Sequence, residues 1–218
     1  MNTDKKILIS ISSKSPNKIL IDCIESLYKF GPSNQYSNTK IVIIDSDSDN
    51  FDVYNTIKSN YSLIDIILCK NKNYEHGAWK HTYLLYPDYD IYMCIQDSII
   101  ITQTIDVSII DNNNAYTFHN NTGYNKHICI KTYGINLLRD SGLTYHTIID
   151  SDFTLAQHSC FIVNNTVMKD ILKTFIHLPI NKEGSNCTER NFGLYFILNN
   201  IKTYDLQNYF TKICGNRS

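Results

Sequence analysis

The pattern that most narrows the fold lies in the N-terminal half, where short, uniformly apolar runs alternate with amphipathic spacings. Residues 6–12 (Lys-Ile-Leu-Ile-Ser-Ile-Ser) read as a strand. Beyond Pro16, the apolar positions Leu20, Cys23, Ile24, Leu27 and Tyr28 recur at helical spacing until Gly31-Pro32 ends the run. The unit then repeats: strand 40–44 closes on Asp45-Ser-Asp-Ser-Asp-Asn, a helix is predicted over 51–59, a strand over 63–69, a helix from about Glu75, and a strand over 91–95. Strands without a polar face must be covered on both sides, and β-α alternation supplies that cover, so an α/β domain with a buried, mostly parallel sheet is expected.

After residue 98 the pattern loosens. Strands are predicted near 105–110, 115–118 and 157–163, and helices near 131–140, 165–175 and 188–200. No internal repeat or linker interrupts the sequence, and 218 residues suit one domain. The expected organisation is therefore a single domain over 1–218, with a regular half to about residue 100 continuous with a less regular half over about 101–218.

Charge narrows the partners. The 20 Lys and Arg against 21 Asp and Glu are scattered, with no basic stripe for nucleic acid. Seven widely spaced cysteines, mostly inside apolar runs, read as buried thiols, and no Cys-x-x-Cys pair offers a zinc site. No stretch approaches the roughly 18 apolar residues of a membrane span, and the N-terminus lacks a signal-peptide pattern, so a cytoplasmic location is expected. The excess of Ile, Asn, Lys and Tyr points to an AT-rich genome, such as that of a large DNA virus or a low-GC microbe.

In open α/β sheets, ligands bind beyond the carboxyl ends of the strands. Four such ends carry polar groups: Ser10 to Ser12 after the first strand, Asp45 after the second, Asn73-Tyr-Glu-His-Gly-Ala-Trp-Lys after the third, and Gln96-Asp97-Ser98 after the fourth. Farther on stand Ala156-Gln-His-Ser-Cys-Phe-Ile-Val and Thr188-Glu-Arg-Asn-Phe-Gly-Leu-Tyr-Phe. In this order over residues 6–200, the segments resemble the GT-A glycosyltransferases, in particular the family-2-like enzymes. The resemblance implies a Rossmann-like nucleotide-diphospho-sugar transferase fold with helices on both faces of the sheet, a nucleotide-sugar-binding half over about 1–100 and an acceptor-side half over about 101–218, and transfer of a sugar from a UDP- or GDP-linked donor to a glycan or protein acceptor.

On that resemblance, Ser10, Ser12 and Asp45 hold the nucleotide, with Gln96 beside them. Gly77 lets backbone approach a phosphate at a helix N-terminus, and Lys80 pairs with phosphate. Asp97, with help from His158, holds Mn²⁺ or Mg²⁺, because a leaving diphosphate needs its charge offset. Gln96 and Ser98 depart from the flanking acids of a full DxD. Glu189 is the general base for an inverting transfer, with Asp150 and Asp152 in reserve. Arg190 orients it, touches a phosphate, or is a solvated helix charge.

Plainer readings stand beside these. Asp97 caps a turn. Asp45, with Asp47 and Asp49, forms a solvated turn. Glu189 sits in the first turn of its helix for the dipole alone. Trp79 is core or a sugar platform, and His76 and His81 do not share a helix face. A calcium loop is excluded, since its glycine and glutamate fall at Asn50 and Thr56. The rival functions are a haloacid-dehalogenase-like phosphatase using Asp45-x-Asp47, and a non-catalytic nucleotide-sugar or glycan-binding domain.

Overall fold

A computed structural model describes residues 5–123, 128–140, 142 and 152–213. Its frame is a seven-stranded sheet in the order β3-β2-β1-β4-β7-β6-β8. The first four strands in chain order are β1 (Ile7–Ser13), β2 (Thr39–Asp45), β3 (Asp65–Ile67) and β4 (Ile91–Gln96), all parallel. Every residue of β1 is buried, as its unbroken apolar and small-residue run requires. Next to β4, β7 (Leu155–Asn164) runs antiparallel to both β4 and β6 (Asn114–Asn120), while β8 (Lys202–Asp205) is parallel to β6. The sheet is thus mostly parallel, with one reversed strand among those described.

Alternate side chains of the strands feed two cores. Ile7, Ile9, Ile11, Ile41, Ile43, Met93 and Ile95 meet α1 (Lys18–Phe30) and α2 (Asp52–Asn60) on one face. Leu8, Val42, Ile44, Tyr92, Cys94 and Phe161 meet α3 (Tyr74–Leu85), α5 (Asn165–Thr174) and α6 (Lys182–Leu198) on the other, and α4 (Ile128–Asp140) joins that layer through Leu138. The period of two along each strand converts an all-apolar run into two helix-binding surfaces. Trp79 is fully buried and its indole N–H donates to the Ser159 carbonyl at 3.1 Å, which makes it a core residue. Of the cysteines described, Cys23, Cys94, Cys160 and Cys187 are buried free thiols and Cys69 is half-buried.

The second half departs from the sequence expectation in three places. The strand expected near 105–110 is instead a 3₁₀ turn over Val107–Ile109, because the Asp106 side chain accepts from the Ser108 amide and closes an Asx turn. Three short strands are not expected from the sequence: β8, and the pair β5 (Ile99–Ile101) and β9 (Phe210–Lys212), which runs antiparallel and carries Lys212 back to the end of β4. Finally, α6 begins at Lys182 rather than near 188, capped by Asn181, whose side chain accepts from the Gly184 amide. The early turns contain Gly184, Ser185 and Asn186, poor helix formers that burial overrides. Gly193 explains how close this helix lies: a Cβ there would fall 2.3 Å from the Thr154 carbonyl oxygen. Among the described residues, no helix is long and apolar enough to cross a membrane.

Candidate active site

The carboxyl end of β4 opens on a cleft of about 370 Å³. Its floor is Gln96, Asp97 and Ser98; the loop after β1 contributes Lys14, Ser15 and Asn17; α3 contributes Glu75; β7 contributes His158; α6 contributes Lys182 and Glu189; and β9 contributes Lys212. Both halves of the chain therefore build one site.

The turn after β4 is fixed through β1. The Asp97 amide donates to the Ser12 carbonyl at 3.0 Å, and Asp97 Oδ2 accepts from Ser13 Oγ at 3.0 Å and from the Lys14 amide at 3.3 Å. Beside it runs a chain of polar contacts. Ser185 Oγ donates to Glu75 Oε2 at 3.4 Å, Gln96 Nε2 donates to Glu75 Oε1 at 2.5 Å, and the Lys212 ammonium donates to Gln96 Oε1 and, at 2.6 Å, to Ser98 Oγ. The Gln96 amide thus faces a carboxylate with its nitrogen and an ammonium with its oxygen.

Glu189 stands two turns inside α6, partly exposed to the cleft. Burial pushes its carboxyl up to about 7, the nearby Glu75 carboxylate adds to the rise, and Arg190, Lys182 and a bond from the His158 backbone oppose it. This placement removes the reading of Glu189 as a first-turn cap, since the dipole effect fades within the first turn. Its neighbour Arg190 is buried rather than solvated, and donates to the Asn186 carbonyl of its own helix at 2.7 Å.

His158 and Ser159 both have left-handed backbone angles, φ 60° and 53°, in the middle of β7. Non-glycine residues rarely adopt this conformation, and it distorts the β6–β7 register between Thr117 and His119. The bend brings the His158 backbone to Glu189 and its ring to the cleft. Burial lowers the imidazole to about 4, with Lys212 and Lys182 adding to the effect, so the ring is neutral at pH 7.

Gln96 and Asp97 share this cleft with His158 and Glu189, which are distant from them in sequence. The other expected site residues lie elsewhere. Ser10 is fully buried, with its hydroxyl 2.5 Å from that of Thr82, so its side chain is a link between β1 and α3 and not a ligand contact. Ser12 contributes its carbonyl to the Asp97 turn. Asp45 is 2% exposed, its two oxygens accepting from Tyr54 Oη at 2.8 Å and the Ser48 amide at 3.0 Å, so it anchors a buried turn. That also removes the nucleophile of the phosphatase alternative from any open site. Asp47 pairs with Lys72 at 3.4 Å.

Gly77 has a packing reason: a Cβ there would lie 2.1 Å from Asn71 Oδ1, the side chain that organises the start of α3. Lys80 is half-buried on α3, where its charge bears on His76, and does not line the cleft. Asp152 is exposed and away from the cleft, and Asp150 lies outside the described residues. Glu75, Lys182 and Lys212 escaped the reading. The signal for Glu75 was its place inside the segment after strand three; isolated lysines carry no comparable signal.

The metal expectation names two protein donors, Asp97 and His158, and both line the cleft. Among the described residues, no group of three or more His, Cys, Asp or Glu side chains is arranged to hold a metal ion. Gln96 and Ser98 offer neutral oxygens where a DxD has acids, and both accept from the Lys212 ammonium. Asp97 and His158 would leave the remaining positions around an ion to phosphate and water oxygens.

No protein-family model matches the chain, and no curated protein matches its sequence. Among solved structures, S. aureus TarS is similar over 94% of this chain and 36% of its own, at 12% identity and a TM-score of 0.49. GalNAc-T7, solved with UDP, GalNAc and Mn²⁺, is similar over 76% of this chain and 36% of its own, at 9% identity and a TM-score of 0.52. The fold is GT-A. Four parallel strands, followed by a reversed strand beside β4, give the GT-A sheet its open end above Gln96 to Ser98. The chain spans 36% of the length of each of these two structures.

Proposed function

We propose that this chain is a glycosyltransferase that moves a sugar from a nucleotide-diphosphate donor to an acceptor hydroxyl with inversion. The observation that carries the reading is a carboxyl held near neutrality, Glu189, in the cleft at the end of β4 of a GT-A sheet. A general base works best with a pKa near the working pH, and burial beside Glu75 provides that. In the proposed step, the acceptor oxygen attacks the anomeric carbon and Glu189 takes its proton. The bond from that carbon to the phosphate oxygen breaks, and the nucleoside diphosphate leaves with the electron pair. Asp97 contributes through the β1 loop: by holding Ser13 and the Lys14 amide, it fixes the wall against which the diphosphate lies.

The complex of GalNAc-T7 with UDP, GalNAc and Mn²⁺ supports a nucleotide sugar as donor class; the proposed donor is UDP- or GDP-linked and the proposed acceptor a glycan or protein. A Mn²⁺ or Mg²⁺ ion entering with the diphosphate would meet Asp97 and His158 as protein donors, and no part of the step is routed through it. The test is a screen of UDP- and GDP-linked sugars for release of the nucleoside diphosphate, run with and without Mn²⁺. Wild type is expected to cleave at least one donor, and Glu189→Gln to slow that reaction by about 10² to 10⁴ with donor affinity retained. Donor binding without turnover in wild type would leave the non-catalytic binding module as the function.

A further inference from the structure

We propose that Lys212, supported by Lys14 and Lys182, forms an ammonium cradle for the donor's diphosphate, so that a nucleoside diphosphate binds this cleft without a divalent cation. The inference rests on the nucleotide-sugar reading and adds the groups that carry the compensating charge.

The decisive observation is where Lys212 sits. Its ammonium donates to Gln96 Oε1 and Ser98 Oγ, the two residues flanking Asp97 at the end of β4. These are the positions at which the resemblance has acids and, through them, a cation. Neutral oxygens are weak ligands for a hard dication but good acceptors for an ammonium. The short β5–β9 pair exists at this spot and returns the chain from residue 210 to residue 212 beside Ile99. A protein-borne cation is thereby tethered at the cleft floor.

Two further lysines face the same space. Lys14 follows β1, and Lys182 opens α6 with its ammonium 5.9 Å from the Tyr74 ring centroid. Neither takes part in the ion pairs of the described residues, which join Lys40 to Asp65, Lys72 to Asp47 and His119 to Asp205.

Of the cleft carboxylates, Asp97 Oδ2 accepts from Ser13 and the Lys14 amide, and the Glu75 oxygens accept from Gln96 and Ser185. Phosphate oxygens are strong acceptors for ammonium donors, and a partly enclosed cleft strengthens each contact.

Calorimetry on the full chain with UDP, GDP, CDP and ADP, in EDTA and then in Mn²⁺, tests the cradle. At least one diphosphate is expected to bind in EDTA. Lys212→Gln should weaken it by about tenfold or more, Lys212→Arg should recover part of the loss, and the matching nucleoside should bind both variants equally. Thermal melts establish that the variants are folded; should Lys212→Gln unfold, Lys182→Gln and the fall of affinity with ionic strength provide the same test. Binding that appears only with Mn²⁺ overturns the cradle and leaves the donor reading standing. Binding in EDTA that the lysine variants and salt leave unchanged also overturns it. Failure of every diphosphate under both conditions overturns the donor reading itself.

Discussion

The ends of β2 and β4 look alike and do different things. Each is a buried parallel strand closing on an aspartate, and each aspartate accepts hydrogen bonds from nearby groups, Tyr54 and the Ser48 amide at Asp45 and Ser13 and the Lys14 amide at Asp97. Around Asp45 the polypeptide closes completely, with the acid bonding to residues three and nine positions ahead. Around Asp97 the bonds go back to β1, and the far side is left to β7, α6 and β9, which bring His158, Glu189, Lys182 and Lys212. An acid at a strand end therefore makes a site only when distant segments set reactive groups opposite it. In this fold the regular first half provides the frame, and the irregular second half provides most of the chemistry.

The sharpest way to break this contrast is to exchange the effects of the two acids. Asp45→Ala strands the buried Tyr54 hydroxyl and is expected to cost about 1–3 kcal/mol of stability, with little change in nucleoside diphosphate affinity once the protein is folded. Asp97→Asn should do the reverse, lowering affinity while the melting temperature holds. Calorimetry and thermal melts on the same samples check both. Equal losses of affinity from the two variants would erase the distinction between the strand ends.

Next in size is Gly77→Ala. If the glycine serves Asn71 and not a phosphate, the added methyl should destabilise the chain by about 1–3 kcal/mol, because Asn71 must leave the place from which it bonds Ser46, Tyr74 and the Asn73 amide. Donor affinity measured below the melting transition should be retained. A stable variant with weakened donor binding would return Gly77 to the site.

The smallest expected effect is the pH dependence of stability in Glu189→Gln. The folded-state pKa of Glu189 lies above that of an unfolded glutamate, so its contribution to stability is fully present below the unfolded value and is lost as pH rises through about 7. The glutamine does not titrate, so the variant should gain stability relative to wild type between pH 5 and pH 8.5. Melts across that range, showing no relative gain, would place Glu189 in a solvated setting.

How much of this was legible in the sequence follows the same division. The frame could be read because β1, β2 and β4 are long apolar runs and α1 has a clean helical period. Strands β3, β5, β8 and β9 have three or four residues each, too few to carry a period, so β5, β8 and β9 were missed and β3 was drawn too long. The start of α6 was hidden because Gly184, Ser185 and Asn186 read as loop until burial is known. Ser10 and Asp45 read as nucleotide contacts for a common reason: a polar side chain at a strand end looks open until its internal partner is seen, and Thr82 lies 72 positions away. Gln96, Asp97, His158 and Glu189 were found because each stands in a segment whose order along the chain is informative. Lys212 depends on a three-residue pairing that no local pattern announces.

The central claim, that transfer is driven by a glutamate kept near neutrality in the β4 cleft, is tested most directly by the pH–rate profile of wild type beside Glu75→Gln, using whichever nucleotide sugar the screen identifies. Since Glu189 must lose its proton to act, the rate should rise with pH and pass half-maximum near about 7. Removing the Glu75 charge, which helps hold that value up, should move the rising limb to lower pH. A limb that stays in place in Glu75→Gln, or that survives unchanged in Glu189→Gln, would contradict the account.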